Sequence, residues 1–228
     1  MDPKTGDVGV AGASCLPNQH ADAIAALVPG KGVAAVQAFW DLENRNKVYE
    51  LLQSGKAAEQ VLRQIANPNY DRGVNDRQYG VVTINDGAVH VQAFTGTEAM
   101  AWSGSQTDST NAVSVQGNIL AGPDVVGNAL RAFQQSGPLE DRLMRALEAG
   151  SSAGGDVRCN SGRMQQTAAT AFILVAHGGD APYAARDLGK TDQGTNKAPW
   201  LDISVKEPRF GPNPVKELRK RFDQRNRW

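Results

Sequence analysis

The sequence predicts an α+β fold: antiparallel sheets stacked face to face, with helix pairs on their outer faces, in a four-layer αββα sandwich. Three observations predict it. Apolar segments of strand length arrive in hairpin-like pairs, the helices arrive in pairs, and the βαβ alternation of a doubly wound parallel sheet does not occur. With 228 residues, the chain is long enough to bury a sizeable core, and residues 1–228 read as a single domain.

The elements follow in order. Residues 8–14, Val8-Gly9-Val10-Ala11-Gly12-Ala13-Ser14, alternate weakly and are small, so they read as a closely packed strand. Residues 16–31 read as a loop with a short apolar stretch from Ile24 to Val28, ended by Pro29-Gly30. A second apolar strand covers 32–39. Val48, Leu51 and Leu52 share one face of a helix over 43–53, and Val61, Leu62 and Ile65 do the same over 57–66. Residues 78–84 and 88–94 flank Asn85-Asp86-Gly87, and Asp-Gly between alternating apolar runs is a strong hairpin signal. Residues 96–111 are polar and rich in Ser, Thr and Gly, so a loop is expected there. Ala112 to Val115 form a short strand. Val125, Val126, Ala129, Leu130 and Phe133 then keep helical spacing behind Pro123 and Asp124, and Leu139, Leu143 and Leu147 stack on a second helix. A Gly/Ser-rich loop over 150–166 leads to a buried strand from Thr167 to Ala176. A last strand over 201–205 and a closing helix over 214–224 complete the chain.

Composition excludes several classes. Lys plus Arg and Asp plus Glu both number 24, so no global field favours nucleic acid or an anionic membrane. No run of 18 apolar residues is present, so no membrane span is expected. Met1-Asp2-Pro3-Lys4 opens directly into polar sequence, and no signal peptide is read there. Pro29-Gly30-Lys31-Gly32 lacks the upstream glycine and the Ser/Thr of a P-loop, and no Gly-x-Ser-x-Gly elbow occurs. The three histidines, His20, His90 and His177, have no paired spacing, so neither a metal nor a cofactor is expected. The basic stretch 216–221 reads as the solvated face of the last helix, with an anionic partner as the alternative. The cysteines Cys15 and Cys159 read either as two buried thiols or as one long-range disulfide.

Three stretches carry candidate chemistry, each with a plainer alternative. Gln116-Gly117-Asn118 sets two amides around a glycine at a strand end. Asn118 offers an NH2 donor suited to a developing oxyanion, and Gly117 permits close approach of a substrate; capping of a strand-to-loop turn is the alternative. Asp156 and Arg158, in Gly154-Gly155-Asp156-Val157-Arg158, are either a partly buried pair orienting a site or a surface ion pair. Thr95 and Gly96 end a strand, where hydroxyl and glycine serve a ligand or a cap.

Together these pieces resemble the family called domain of unknown function 1028. The resemblance is carried by Asp2-Pro3-Lys4-Thr5-Gly6-Asp7-Val8-Gly9-Val10-Ala11, Gln37-Ala38, Gln78-Tyr79-Gly80-Val81-Val82 and Phe94-Thr95-Gly96. It continues in Val115-Gln116-Gly117-Asn118-Ile119-Leu120-Ala121-Gly122, Ala146-Leu147-Glu148-Ala149-Gly150 and Gly155-Asp156-Val157-Arg158. It implies the N-terminal-nucleophile (Ntn) hydrolase superfamily, whose fold is the αββα sandwich. It also implies a cell-wall connection, because some members carry a peptidoglycan-binding domain. Ala13-Ser14-Cys15 and the cysteine after Asp156-Val157-Arg158 resemble an exported bacterial subgroup, which implies a Cys15–Cys159 disulfide and an extracytoplasmic location, periplasmic or secreted; as literally encoded, the chain reads as cytoplasmic.

One departure from the family bears on activity. Members begin with a short strand ahead of the Asp-Pro-x-Thr-Gly turn, whereas Met1 here sits directly on that turn. Methionine has neither hydroxyl nor thiol and cannot be an N-terminal nucleophile. The first strand is therefore expected to be missing, through a start placed too far downstream or through trimming, unless the chain is an inactive variant; residues 8–14 should then expose a sheet edge. Two functions follow. One is an amide or peptide hydrolase with Asn118 as oxyanion donor and Asp156 and Arg158 as orienting groups; Gln37, Thr95, Gly96, Gln116 and Gly117 would bind substrate. The other is a non-catalytic ligand-binding or structural module. The expected partner is a small-molecule or peptide-like substrate, with homo-oligomers allowed for and no nucleic acid.

Overall fold

The computed structural model describes residues 1–16, 21–161, 165–184 and 199–225. Its strands are β1 (Val8–Ser14), β2 (Ala25–Val28), β3 (Gly32–Ala38), β4 (Arg77–Asn85), β5 (Ala88–Thr95), β6 (Gly104–Asp108), β7 (Val113–Gly117), β8 (Thr170–Ala176), β9 (Tyr183–Ala184) and β10 (Leu201–Lys206). Its α-helices are α1 (Leu42–Gln53), α2 (Ala58–Ile65), α3 (Pro123–Phe133), α4 (Leu139–Ser152) and α5 (Pro214–Gln224). The strands form sheets in the orders β1-β8-β10, β5-β4-β3-β2-β9 and β6-β7, and every pairing is antiparallel. The fold is α+β with antiparallel sheets.

Side-chain alternation explains how the sheets are used. On β8, Phe172, Leu174 and Ala176 point into one core while Ala171, Ile173 and Val175 point into another, so the strand reads as a continuous apolar run. The first core lies between the two larger sheets and adds Val8 and Val10 from β1, Leu27 from β2, and Val33 and Ala35 from β3. The second is filled from outside by Phe133 of α3, Met144 of α4, and Leu218 and Phe222 of α5. A third joins Ala34, Val36, Tyr79 and Val81 to Val48, Leu52, Val61 and Ile65 of α1 and α2.

The helix ends follow their sequence signals. The Asp41 carboxylate accepts from the N–H groups of Glu43 and Asn44 at 2.8 and 3.1 Å, capping α1. Asn213 does the same for α5 ahead of Pro214. In the β4–β5 hairpin, Asp86 and Gly87 both have positive φ (49° and 78°), as the two-residue turn demands. The basic face of α5 is partly engaged: Arg219 forms a bidentate pair with Glu148 of α4.

Two expectations are corrected. Ala25–Val28, read as part of a loop, is strand β2, paired with both β3 and β9. Four residues are too few for a periodic signal, and the segment is buried on both faces. The expected loop over 96–111 contains β6, whose Gly-Ser-Gln-Thr-Asp is largely exposed and so shows no apolar alternation. β1 pairs with β8, far along the chain, Val8 opposite Ala176 and Ser14 opposite Thr170. Among the described residues, the other long edge of β1 bears no strand.

Candidate functional site

β7 ends at Gly117, where a Cβ would lie 2.6 Å from Leu120 Cδ1, and the chain turns at once through Asn118 and Ile119. Ile119 has φ 56°, which a β-branched residue resists, at a cost on the order of 1–3 kcal/mol. Neighbours hold it there: Ile119 N–H donates to Met100 O, Leu120 N–H to Trp102 O, and Val157 N–H to Ile119 O, each at 3.0 Å. The 117–121 turn is thereby laced to residues 155–157. The Asn118 side-chain amide makes no hydrogen bond among the described residues and lies on a cavity wall.

Asp156 is 6% exposed and accepts four N–H groups. Its Oδ1 takes Arg158 N and Nε at 3.0 Å each; its Oδ2 takes Arg158 Nη2 at 2.6 Å and Cys15 N at 3.1 Å. That pairing holds the Arg158 guanidinium above its ordinary pKa. A carboxylate with every lone-pair direction engaged holds its neighbours in place. Cys15 and Cys159 are disulfide-bonded, Cα to Cα 5.6 Å, which clamps the end of β1 to the turn that carries Asp156.

Gln37 and Thr95 enter through a residue the sequence reading left out. Gln37, Gln78 and Thr95 stand opposite one another on β3, β4 and β5. Gln37 Nε2 donates to Gln78 Oε1 at 2.9 Å; Gln78 Nε2 donates to Thr95 Oγ1, Gly117 O and Gly104 O at 2.9, 3.1 and 3.2 Å. Gln78 is fully buried, and this polar row ties β7 to the five-stranded sheet. The available signal was a glutamine sharing a strand face with Gly80 and Val82. Gln116 lies over Gly80, where a Cβ would collide with its amide, and accepts from Ser114 Oγ–H at 2.8 Å.

These groups border a cavity of about 580 Å³ between β1, β3, β7, α3 and α4. Gln37, Gln116, Gly117, Asn118, Asp156 and Arg158 line it together; Thr95 stands two hydrogen bonds behind Gln37, through Gln78. Gly96 is elsewhere, pressed against the backbone of Asn75. Exposed Leu16, Phe39 and Met100 form an apolar rim. At the other end Met1, 3% exposed, donates from its amine to Ala112 O at 2.8 Å, and burial followed by the Arg142 charge pushes that amine down to about 5. Met1 thus brings a buried amine to the cavity but neither a hydroxyl nor a thiol. His20 lies outside the described residues, and no histidine lines the cavity among the described residues. Among those residues no three His, Cys, Asp or Glu side chains cluster to hold a metal, and no helix is long and apolar enough to cross a membrane.

The fold and site together define an α+β protein with an apolar cavity bordered by amide, carboxylate and guanidinium groups. The chain belongs to the Family of unknown function (DUF1028), whose model matches residues 1–218. The crystal structure of protein SPO2555 from Silicibacter pomeroyi, of the same family, is similar at a TM-score of 0.70 and 23% identity. The match covers 98% of this chain and 85% of that one, and shows a shared fold. A comparison with curated proteins finds no match.

Proposed function

We propose that this chain is an amide hydrolase of the N-terminal-nucleophile type, built on a four-layer αββα sandwich. The outward helices on both larger sheets and the core between those sheets support the architecture. One observation carries the function: an unengaged amide, Asn118, stands on the same cavity wall as the oriented Asp156–Arg158 pair. Asn118 would donate to the oxyanion of a tetrahedral intermediate. Arg158, fixed by Asp156, would bind a carboxylate or carbonyl of the substrate. The exposed rim of Leu16, Phe39 and Met100 would take an apolar part of it. The nucleophile would be a Thr, Ser or Cys with a free amine at the head of an extended strand laid beside β1, its own amine serving as base. Cell-wall peptides are the substrate class the family resemblance suggests, and the disulfide suits an oxidising compartment.

The test compares the 228-residue chain with one extended at Met1 by a strand that begins with threonine. Both are incubated with a panel of dipeptides and N-acyl amino acids, and mass spectrometry follows the addition of water. Turnover is expected in the extended chain alone. Asn118→Ala should then lower kcat about 10²–10³-fold, and replacing the leading threonine by alanine should abolish turnover. A folded extended chain that binds panel members without hydrolysing any would establish the ligand-binding reading instead.

A further inference from the structure

Two hydroxyls that the hydrolase reading leaves unused line the cavity beside the turn that carries Asp156. Ser151, in the last turn of α4, and Thr167 place Oγ and Oγ1 2.6 Å apart. Thr167 has φ 60°, a left-handed conformation that a β-branched residue resists. Backbone bonds hold it there: its N–H donates to Cys159 O at 3.0 Å, and its C=O accepts from Asp156 N–H at 2.9 Å. Gly155 leaves room for it, since a Cβ there would lie 2.9 Å from Thr167 Cβ. A strained residue fastened on both sides presents its side chain in one place. Thr167 is thus built onto the same turn as Asp156 and Arg158.

The proton inventory decides what the pair offers. Asn213 caps α5 through its Oδ1, which accepts from Val215 N–H and Lys216 N–H at 2.9 and 3.3 Å. That cap fixes the orientation of the amide. Its Nδ2 then faces the hydroxyls and donates to Thr167 Oγ1 at 3.0 Å and Ser151 Oγ at 3.3 Å. Neither hydroxyl can spend its proton on Asn213. One proton makes the bond between the two oxygens, and the other has no acceptor among the described residues. Arg158 carries unspent donors too: Nε and Nη2 bond Asp156, while Nη1 makes no hydrogen bond among the described residues, and the side chain is 37% exposed. Among those residues, the one carboxylate lining the cavity is that of Asp156, which already accepts four N–H groups. Donors are left over here, and no carboxylate oxygen remains to take them.

We propose that the Ser151–Thr167 hydroxyl pair and the free edge of Arg158 form a receiving site for the carboxylate of an N-acyl amino acid or a peptide C-terminus. Ser151 and Thr167 are its binding residues, and Asn213 is the positioning residue that keeps their second proton available. One carboxylate oxygen takes that proton and the other takes Arg158 Nη1, both in charge-assisted bonds. The Asp156–Arg158 pair is neutral as a whole, so selection rests on directed donors rather than on net charge. A primary amide in place of the carboxylate turns an NH2 toward one of these donors and is rejected. The site rests on the hydrogen-bond inventory; its use by a substrate rests on the hydrolase reading above.

The test measures binding of N-acetyl-L-leucine and of its primary amide to the 228-residue chain by ligand-observed NMR. A ligand of this size should bind in the millimolar range, the carboxylate at least about tenfold tighter than the amide. The double variant Ser151→Ala, Thr167→Val removes both hydroxyls and should weaken carboxylate binding about tenfold. Each single variant leaves one hydroxyl with its own proton and should lose less than about threefold. Asn213→Asp keeps the α5 cap but turns an acceptor toward the hydroxyls; it should withdraw their proton and abolish the preference for the carboxylate. Equal binding of the two ligands, binding of neither, or a folded double variant with unchanged affinity would overturn the site. Should the double variant not fold, a retained preference in Asn213→Asp overturns it instead. In the turnover assay above, carboxylate preference in binding without hydrolysis leaves the site standing and overturns the hydrolase. Hydrolysis of acid and amide alike does the reverse.

Discussion

At the scale of single residues, the buried Gln78 has the largest structural role at the site. Its amide group bonds to residues on four neighbouring strands, β3, β5, β6 and β7, and its removal takes one partner each from Gln37, Thr95, Gly104 O and Gly117 O at once. Gln78→Ala should therefore lower unfolding stability by roughly 2–4 kcal/mol. Gln37→Ala, half-buried and bonded once, should cost under about 1.5 kcal/mol. Urea denaturation of both variants checks the order, and equal losses would show that the bridging bonds contribute nothing special. The glutamine itself was visible in the sequence, in Gln78-Tyr79-Gly80-Val81-Val82. Its partners were not, because a cross-strand row exists only once three strands adopt one register.

Among the elements, the join between β1 and the turn carrying Asp156 determines how firmly the candidate site is held. Two bonds make it: the disulfide and the hydrogen bond from Cys15 N to Asp156. Closing a chain separation of 144 residues should stabilise the fold by about 2–5 kcal/mol relative to the Cys15→Ser, Cys159→Ser double variant. That variant should also exchange the Cys15 and Arg158 backbone amides faster, since both donate to the released carboxylate. An unchanged melting curve and unchanged exchange would remove the clamp from the account. Residues alone left the cysteines open between thiols and a bridge; the family resemblance pointed to the bridge. The helices were the most legible elements, because α1 to α5 each bury one stripe at a repeating interval. β6 was the least legible, being polar on both faces.

At the scale of the whole molecule, in a chain that begins at Met1 the buried terminal amine couples folding to pH. Its pKa falls from 8.0 unfolded to about 5 folded, chiefly through burial. Between those values the unfolded chain binds more protons, so stability rises as pH rises. A chain beginning at Met1 should gain about 4 kcal/mol between pH 5 and pH 8 from this group, with no further change from it outside that window. Asp71 and Asp108 act below it. Hydrogen bonds from Arg77 and Gln134 hold their carboxyls under the ordinary value, so their contribution is lost only as pH falls through the acid range. Urea titrations from pH 5 to 8, repeated on chain acetylated at Met1, check the assignment: acetylation should flatten the slope, and an equal slope would refute it.

The sequence by itself determined the α+β class, antiparallel pairing and most strand and helix positions. All of these depend on local periodicity and turn chemistry, which a short window of residues contains. It also pointed to Asn118, Asp156 and Arg158, because amide, carboxylate and guanidinium groups beside glycines are conspicuous at strand ends. Only the tertiary structure decided that β1 pairs with β8, that Gln78 binds Gln37 to Thr95 and Gly117, and that β1 and β7 border one cavity. Those facts join residues far apart in the chain, and burial and strand register, which no local window contains, set them.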